Sequence, residues 1–106
     1  MAENEFLDLE EKIVKVLKTV YDPEIPVDIY ELGLVYRIDV QEDGVVNIDM
    51  TLTAPSCPAG DFLLEDVKMK VEGIEGVKQA NINLVFEPEW TKERMSEEAM
   101  LELGML

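Results

Sequence analysis

The sequence predicts an α+β domain: a small mixed three-stranded sheet, built from a hairpin and a right-handed strand–helix–strand crossover, with helices packed on one face. Three observations predict it. Apolar residues recur at helical spacing over 6–20 and again over 63–74. They alternate with polar residues over 34–40, 46–52 and 80–86. The last two alternating stretches flank the second helical one, and a strand, a helix and a returning strand imply a right-handed parallel connection. With 106 residues, 47% of them hydrophobic and 31% charged, the chain is expected to form a single domain over 1–106 around one modest core.

In chain order, Phe6, Leu9, Ile13, Val16, Leu17 and Val20 step by three and four, which predicts an amphipathic helix with Glu10, Glu11, Lys12, Lys15 and Lys18 on its wet side. Asp22-Pro23 ends it, because the residue before proline avoids helical angles. Asp28-Ile29-Tyr30-Glu31 has the pattern of a capping box, and Gly33 is free to take the positive φ that closes such a turn. Leu34, Tyr36, Ile38 and Val40 predict a first strand, and Glu42-Asp43-Gly44 a hairpin turn. Val46, Ile48, Met50 and Leu52 predict the second strand, with Asn47, Asp49, Thr51 and Thr53 on the opposite face, polar and open.

Leu63, Leu64, Val67, Val71 and Ile74 predict a second helix, ending at Gly73 or Gly76. Ala80, Ile82, Leu84 and Phe86 predict the third strand. Glu87-Pro88-Glu89-Trp90-Thr91 reads as a loop in which Trp90 serves as a lid on the core. Ser96 is placed to cap a last helix with Glu97 and Glu98 in its first turn.

The totals exclude much. A net charge of −15, from 24 acidic and 9 basic residues, argues against nucleic acid or an anionic membrane as partner. The chain has no histidine, which removes Ser-His-Asp and Cys-His catalysis and every mixed Cys/His metal cage. One cysteine excludes an internal disulfide framework, and neither a signal peptide nor a membrane-spanning run is evident. A cytoplasmic setting is expected.

The single cysteine, Cys57, lies between Pro55 and Pro58, where a strand pattern stops and a helix pattern starts. A thiol there faces unpaired backbone N–H groups and the positive end of a helix dipole, both of which favour the thiolate that binds metal or attacks electrophiles. The same residue can equally be a small packed hydrophobe. Asp22, Glu24, Asp28 and Glu31 gather four carboxylates in one proline-stiffened loop. They could hold a metal or poise a base, although Asp28 and Glu31 already have capping to do.

Three segments carry a resemblance. Asp22-Pro23-Glu24-Ile25-Pro26-Val27-Asp28-Ile29-Tyr30-Glu31-Leu32-Gly33-Leu34-Val35-Tyr36 resembles the signature of the metal–sulfur cluster biosynthesis family, which includes SufT-type assembly factors and PaaD subunits. Met50-Thr51-Leu52-Thr53-Ala54-Pro55-Ser56-Cys57-Pro58 resembles its cysteine loop. Phe86-Glu87-Pro88-Glu89-Trp90-Thr91, with Arg94-Met95-Ser96-Glu97-Glu98-Ala99, resembles its C-terminal segment. The resemblance implies an iron–sulfur cluster assembly domain that helps to build clusters or deliver them to client apo-proteins, together with the assembly machinery and without a catalysed reaction of the usual kind. Carried over, Cys57 becomes the reactive or metal-ligating residue. Asp22 and Glu24 become the acidic part of the site, with Thr51 and Thr53 beside the thiol. Many relatives have Gly where this chain has Ser56. The chain also lacks the C-terminal cysteines of PaaD proteins, which favours the SufT-type side.

A cluster normally needs four protein ligands, mostly thiolates. One chain offers one, and a homodimer would offer two. Any iron or cluster bound through Cys57 is therefore expected to be labile and transient, as delivery requires. Two other readings remain open at this point: an adaptor that docks machinery and clients through its acidic surface without holding metal, and a thiol or persulfide carrier.

Overall fold

A computed structural model describes residues 3–22, 25–53 and 60–104, with side chains from residue 8 onward. Helix α1 runs Glu3–Leu17 and buries Leu9, Ile13 and Leu17 completely or nearly so. It stops short of the expected Val20. Tyr21 pairs with Asp28 in an isolated antiparallel bridge, and Ile29 N–H donates to Val20 O at 2.8 Å. Those bonds draw Val20 into the core in extended form instead.

The following turn is capped from one side only. Asp28 Oδ2 accepts from Glu31 N–H at 3.0 Å, but the Glu31 carboxylate turns to Lys18 Nζ, 3.6 Å away. Gly33 closes the turn with φ +79, and a Cβ on it would strike the backbone carbonyl of Arg94. Only glycine meets both demands, the left-handed backbone and the close approach.

Strands β1 (Val35–Val40) and β2 (Val45–Met50) pair antiparallel, and β3 (Gln79–Leu84) pairs parallel to β2, giving the order β1-β2-β3. Helix α2 (Gly60–Glu72) makes the connection between the parallel strands and packs Leu63, Val67 and Val71 into the core. The expected mixed sheet is therefore present. In β2, Val46, Ile48 and Met50 are fully buried beneath the helices, and Ile48 is flanked by Ile38 and Ile82 in register. The other face carries amides: Asn81 Nδ2 donates to Asn47 Oδ1 at 3.0 Å, and Asn83 Nδ2 to Asp49 Oδ1 at 3.1 Å.

Val85 N–H points inward to Met50 O, so by strand alternation the backbone of Ala80 points outward, away from β2. Helix α2 holds both of its groups. Lys68 Nζ donates to Ala80 O at 2.9 Å, and Ala80 N–H donates to Glu72 Oε2 at 3.1 Å.

A single-turn 3-10 helix (Lys92–Arg94) leads into α3 (Glu97–Glu102). Ser96 caps α3 as expected, its hydroxyl accepting from Ala99 N–H at 3.1 Å. The Ser96 backbone N–H donates to Glu31 O at 2.8 Å, which ties this end of the chain to the turn of residues 28–33.

Candidate functional site

Because β2 and β3 run parallel, whatever follows Met50 must lie beside whatever follows Leu84. Residues just past the carboxyl ends of adjacent parallel strands are a recurrent place for ligand sites. Here a groove of about 350 Å³ forms there, lined by Thr51, Thr53, Phe86, Glu87, Glu89 and Trp90 among others. The segment carrying Cys57 begins immediately after Thr53. Its far end is also fixed, since Gly60 packs so closely that a Cβ would come within 2.7 Å of Leu52 Cδ1.

Of the five residues the sequence nominated, Cys57 and Glu24 lie outside the described residues. Thr51 and Thr53 are brought together in the groove. Thr51 departs from expectation, because it is only 2% exposed rather than on an open face. Its backbone N–H donates to Leu34 O at 2.9 Å, and it lines one groove with the chain from Phe86 to Trp90. Strand alternation placed it on the face opposite the apolar row but did not foretell its burial.

Asp22 stands at the root of the loop whose far end, Leu34, is bonded to Thr51. It is 6% exposed, and its Oδ1 accepts from Ile25 N–H at 3.0 Å. The loop's three described carboxylates are thus engaged: Asp22 with Ile25, Asp28 with Glu31, Glu31 with Lys18. Among the described residues, no group of three or more Cys, Asp or Glu is placed to hold a metal ion.

The groove wall is firmly held. Trp90 Nε1–H donates to Leu32 O at 2.7 Å, and the ring is half-buried against the core while also facing the groove, so it is both the expected lid and a wall. Tyr36 Oη–H donates to Pro88 O at 2.7 Å. Behind that wall Arg94 stacks on the Tyr36 ring, 4.8 Å from its centroid, and its Nε–H donates to Glu89 O at 3.3 Å. Farther along, hydrogen bonds from its own backbone N–H and from Thr91 hold the Glu93 carboxyl below the usual carboxylate range. The sequence marked Phe86, Glu87 and Glu89 only as strand end and loop. The signal for their role was the crossover itself, which makes the β2 and β3 ends neighbours.

Among the described residues no helix is long and apolar enough to cross a membrane. The chain is similar over 97% of its length to an Fe-S protein maturation auxiliary factor of Porphyromonas gingivalis, with 66% identity and 98% of that protein covered. It is 42% identical to the Fe-S protein maturation auxiliary factor SufT of Staphylococcus aureus, over 81% of this chain and 98% of that one. Its fold matches the crystal structure of a domain of unknown function from Bacillus anthracis with a TM-score of 0.87 at 38% identity, covering 93% of this chain and 94% of the other. A family model described as iron-sulfur cluster assembly protein matches residues 10–84. The expectation drawn from the three sequence segments is met, and the chain belongs to the iron-sulfur cluster assembly protein family.

Proposed function

We propose that this protein is an iron–sulfur maturation factor of the SufT type, which handles iron or a cluster as cargo through Cys57 and passes it to client apo-proteins in the cytoplasm. The observation that carries this reading is the placement of the segment holding the only cysteine: it opens directly from a built groove at the ends of two parallel strands, in a chain of this family. The names of the relatives from Porphyromonas gingivalis and Staphylococcus aureus support it.

The donor set limits what the chain does with its cargo. One thiol per chain leaves most of a cluster's ligand shell to others. In this reading a second copy, the assembly machinery or the client supplies those ligands, and transfer is an exchange of ligands around the cargo rather than a catalysed bond change. In this reading Asp22 and Glu24 are the acidic part of the site, and Thr51 and Thr53 line the groove that precedes the Cys57 segment in the chain.

Anaerobic reconstitution with ferrous iron and sulfide, followed by gel filtration of wild type and Cys57→Ser, tests it. Iron and cluster absorption on the wild-type peak, lost in a Cys57→Ser protein with unchanged melting, is the expected result. Equal uptake by both proteins overturns the role of Cys57. No uptake by either folded protein overturns cargo handling, and leaves an adaptor acting through its acidic surface.

A further inference from the structure

We infer that the groove beside the Cys57 segment is a docking pocket for an arginine side chain of a protein partner. The inference rests on the reading that cargo changes hands at that segment, and it names what brings the partner there.

Three properties of the groove select this occupant. Its walls are aromatic: Trp90 is fixed by the Leu32 carbonyl, and Phe86 is 48% exposed and lines the same groove. Glu87 and Glu89 line the same groove as those rings, and among the described residues no ion pair reaches either side chain. The chain as a whole is at −15, so a cationic visitor is drawn in from a distance as well as held at contact. A planar guanidinium satisfies both kinds of wall at once, stacking on an aromatic face while its N–H fork meets carboxylate oxygens. A lysine ammonium lacks the planar fork.

The chain's own nearby cation does not take this place. Arg94 lies behind the Pro88 wall, with its guanidinium on Tyr36 and its Nε–H on the Glu89 carbonyl. There it displays on the back of the wall the aromatic-plus-oxygen arrangement that the front offers to a partner. The volume of about 350 Å³ accommodates one such side chain with room for its backbone at the mouth.

The test uses the full-length protein without iron, and N-acetyl-arginine methylamide as the probe. Trp90 is the only tryptophan, so its fluorescence and its indole N–H resonance report occupancy directly. A saturable change with the arginine probe, and none with the neutral isostere N-acetyl-citrulline methylamide, is expected. Glu87→Gln/Glu89→Gln is expected to weaken binding about tenfold or more, since two charge-assisted contacts are lost. Glu10→Gln/Glu11→Gln removes the same charge from α1 and is expected to leave binding within about twofold. Equal responses to arginine and citrulline, equal weakening by the two double variants, or no saturable response would each overturn the inference. Cys57→Ser is expected to bind the probe like wild type. The pocket therefore stands or falls apart from iron uptake, which alone decides the role of Cys57.

Discussion

Trp90 and Leu32, 58 residues apart, are joined by a 2.7 Å hydrogen bond from the indole N–H to a backbone carbonyl. Through it the C-terminal loop is laid over the end of the turn that precedes β1, and one wall of the groove is set. Trp90→Phe keeps most of the apolar contact and removes the donor, leaving the Leu32 carbonyl short of its partner. The expected cost is about 1 kcal/mol, measurable as a lower midpoint in urea followed by circular dichroism, with no change of fold.

Gly33→Ala is expected to cost more. The positive φ alone penalises a Cβ by about 1–2 kcal/mol, and the carbonyl of Arg94 occupies the place the methyl group would take. A total loss of about 2 kcal/mol or more, with amide resonances shifting at both Gly33 and Arg94, is the expected outcome. Shifts confined to residues 32–34 would show that the two segments do not touch.

Ser96→Ala removes the hydroxyl that accepts from Ala99 N–H. A loss of about 1 kcal/mol is expected, with faster hydrogen exchange confined to the first turn of α3. Ser96→Asp is expected to restore the cap, because aspartate is a comparable acceptor at this position.

Ile48→Ala opens a hole in the central strand between Ile38 and Ile82, beneath both long helices. The expected destabilisation is about 2–5 kcal/mol, the largest of the four substitutions. Thermal unfolding would check it, and a loss under about 1 kcal/mol would mean that the site collapses around the smaller side chain.

What could be read from the sequence was what neighbouring residues decide among themselves. The helical steps of Leu9, Ile13 and Leu17, the alternation of Val46, Ile48 and Met50, the Ser96 cap and the positive φ of Gly33 all follow from local pattern, and all are present. The parallel pairing of β2 and β3 followed from the helix between them. What could not be read depended on groups brought in from far along the chain. The Glu31 carboxylate was expected to complete a capping box, but Lys18 from the end of α1 competes for it. Thr51 was expected on an open face, but it is buried, in a groove that it shares with the loop at Phe86–Trp90. The groove belongs to the same class. No single segment shows it, and it follows only once the order of the strands is known.

The pair of α2 side chains on Ala80 has a consequence for how the sheet meets other chains. Every open sheet offers its border as a template on which another chain can crystallise, strand upon strand, and growth of that kind is set by the first bond it can make. At Ala80 both the donor and the acceptor are already occupied, by a carboxylate and an ammonium of the same helix. A strand pairing across Ala80 would have to evict a charged pair to lay down that rung. The helix that links the two parallel strands thus also guards that border of the sheet at one of its residues.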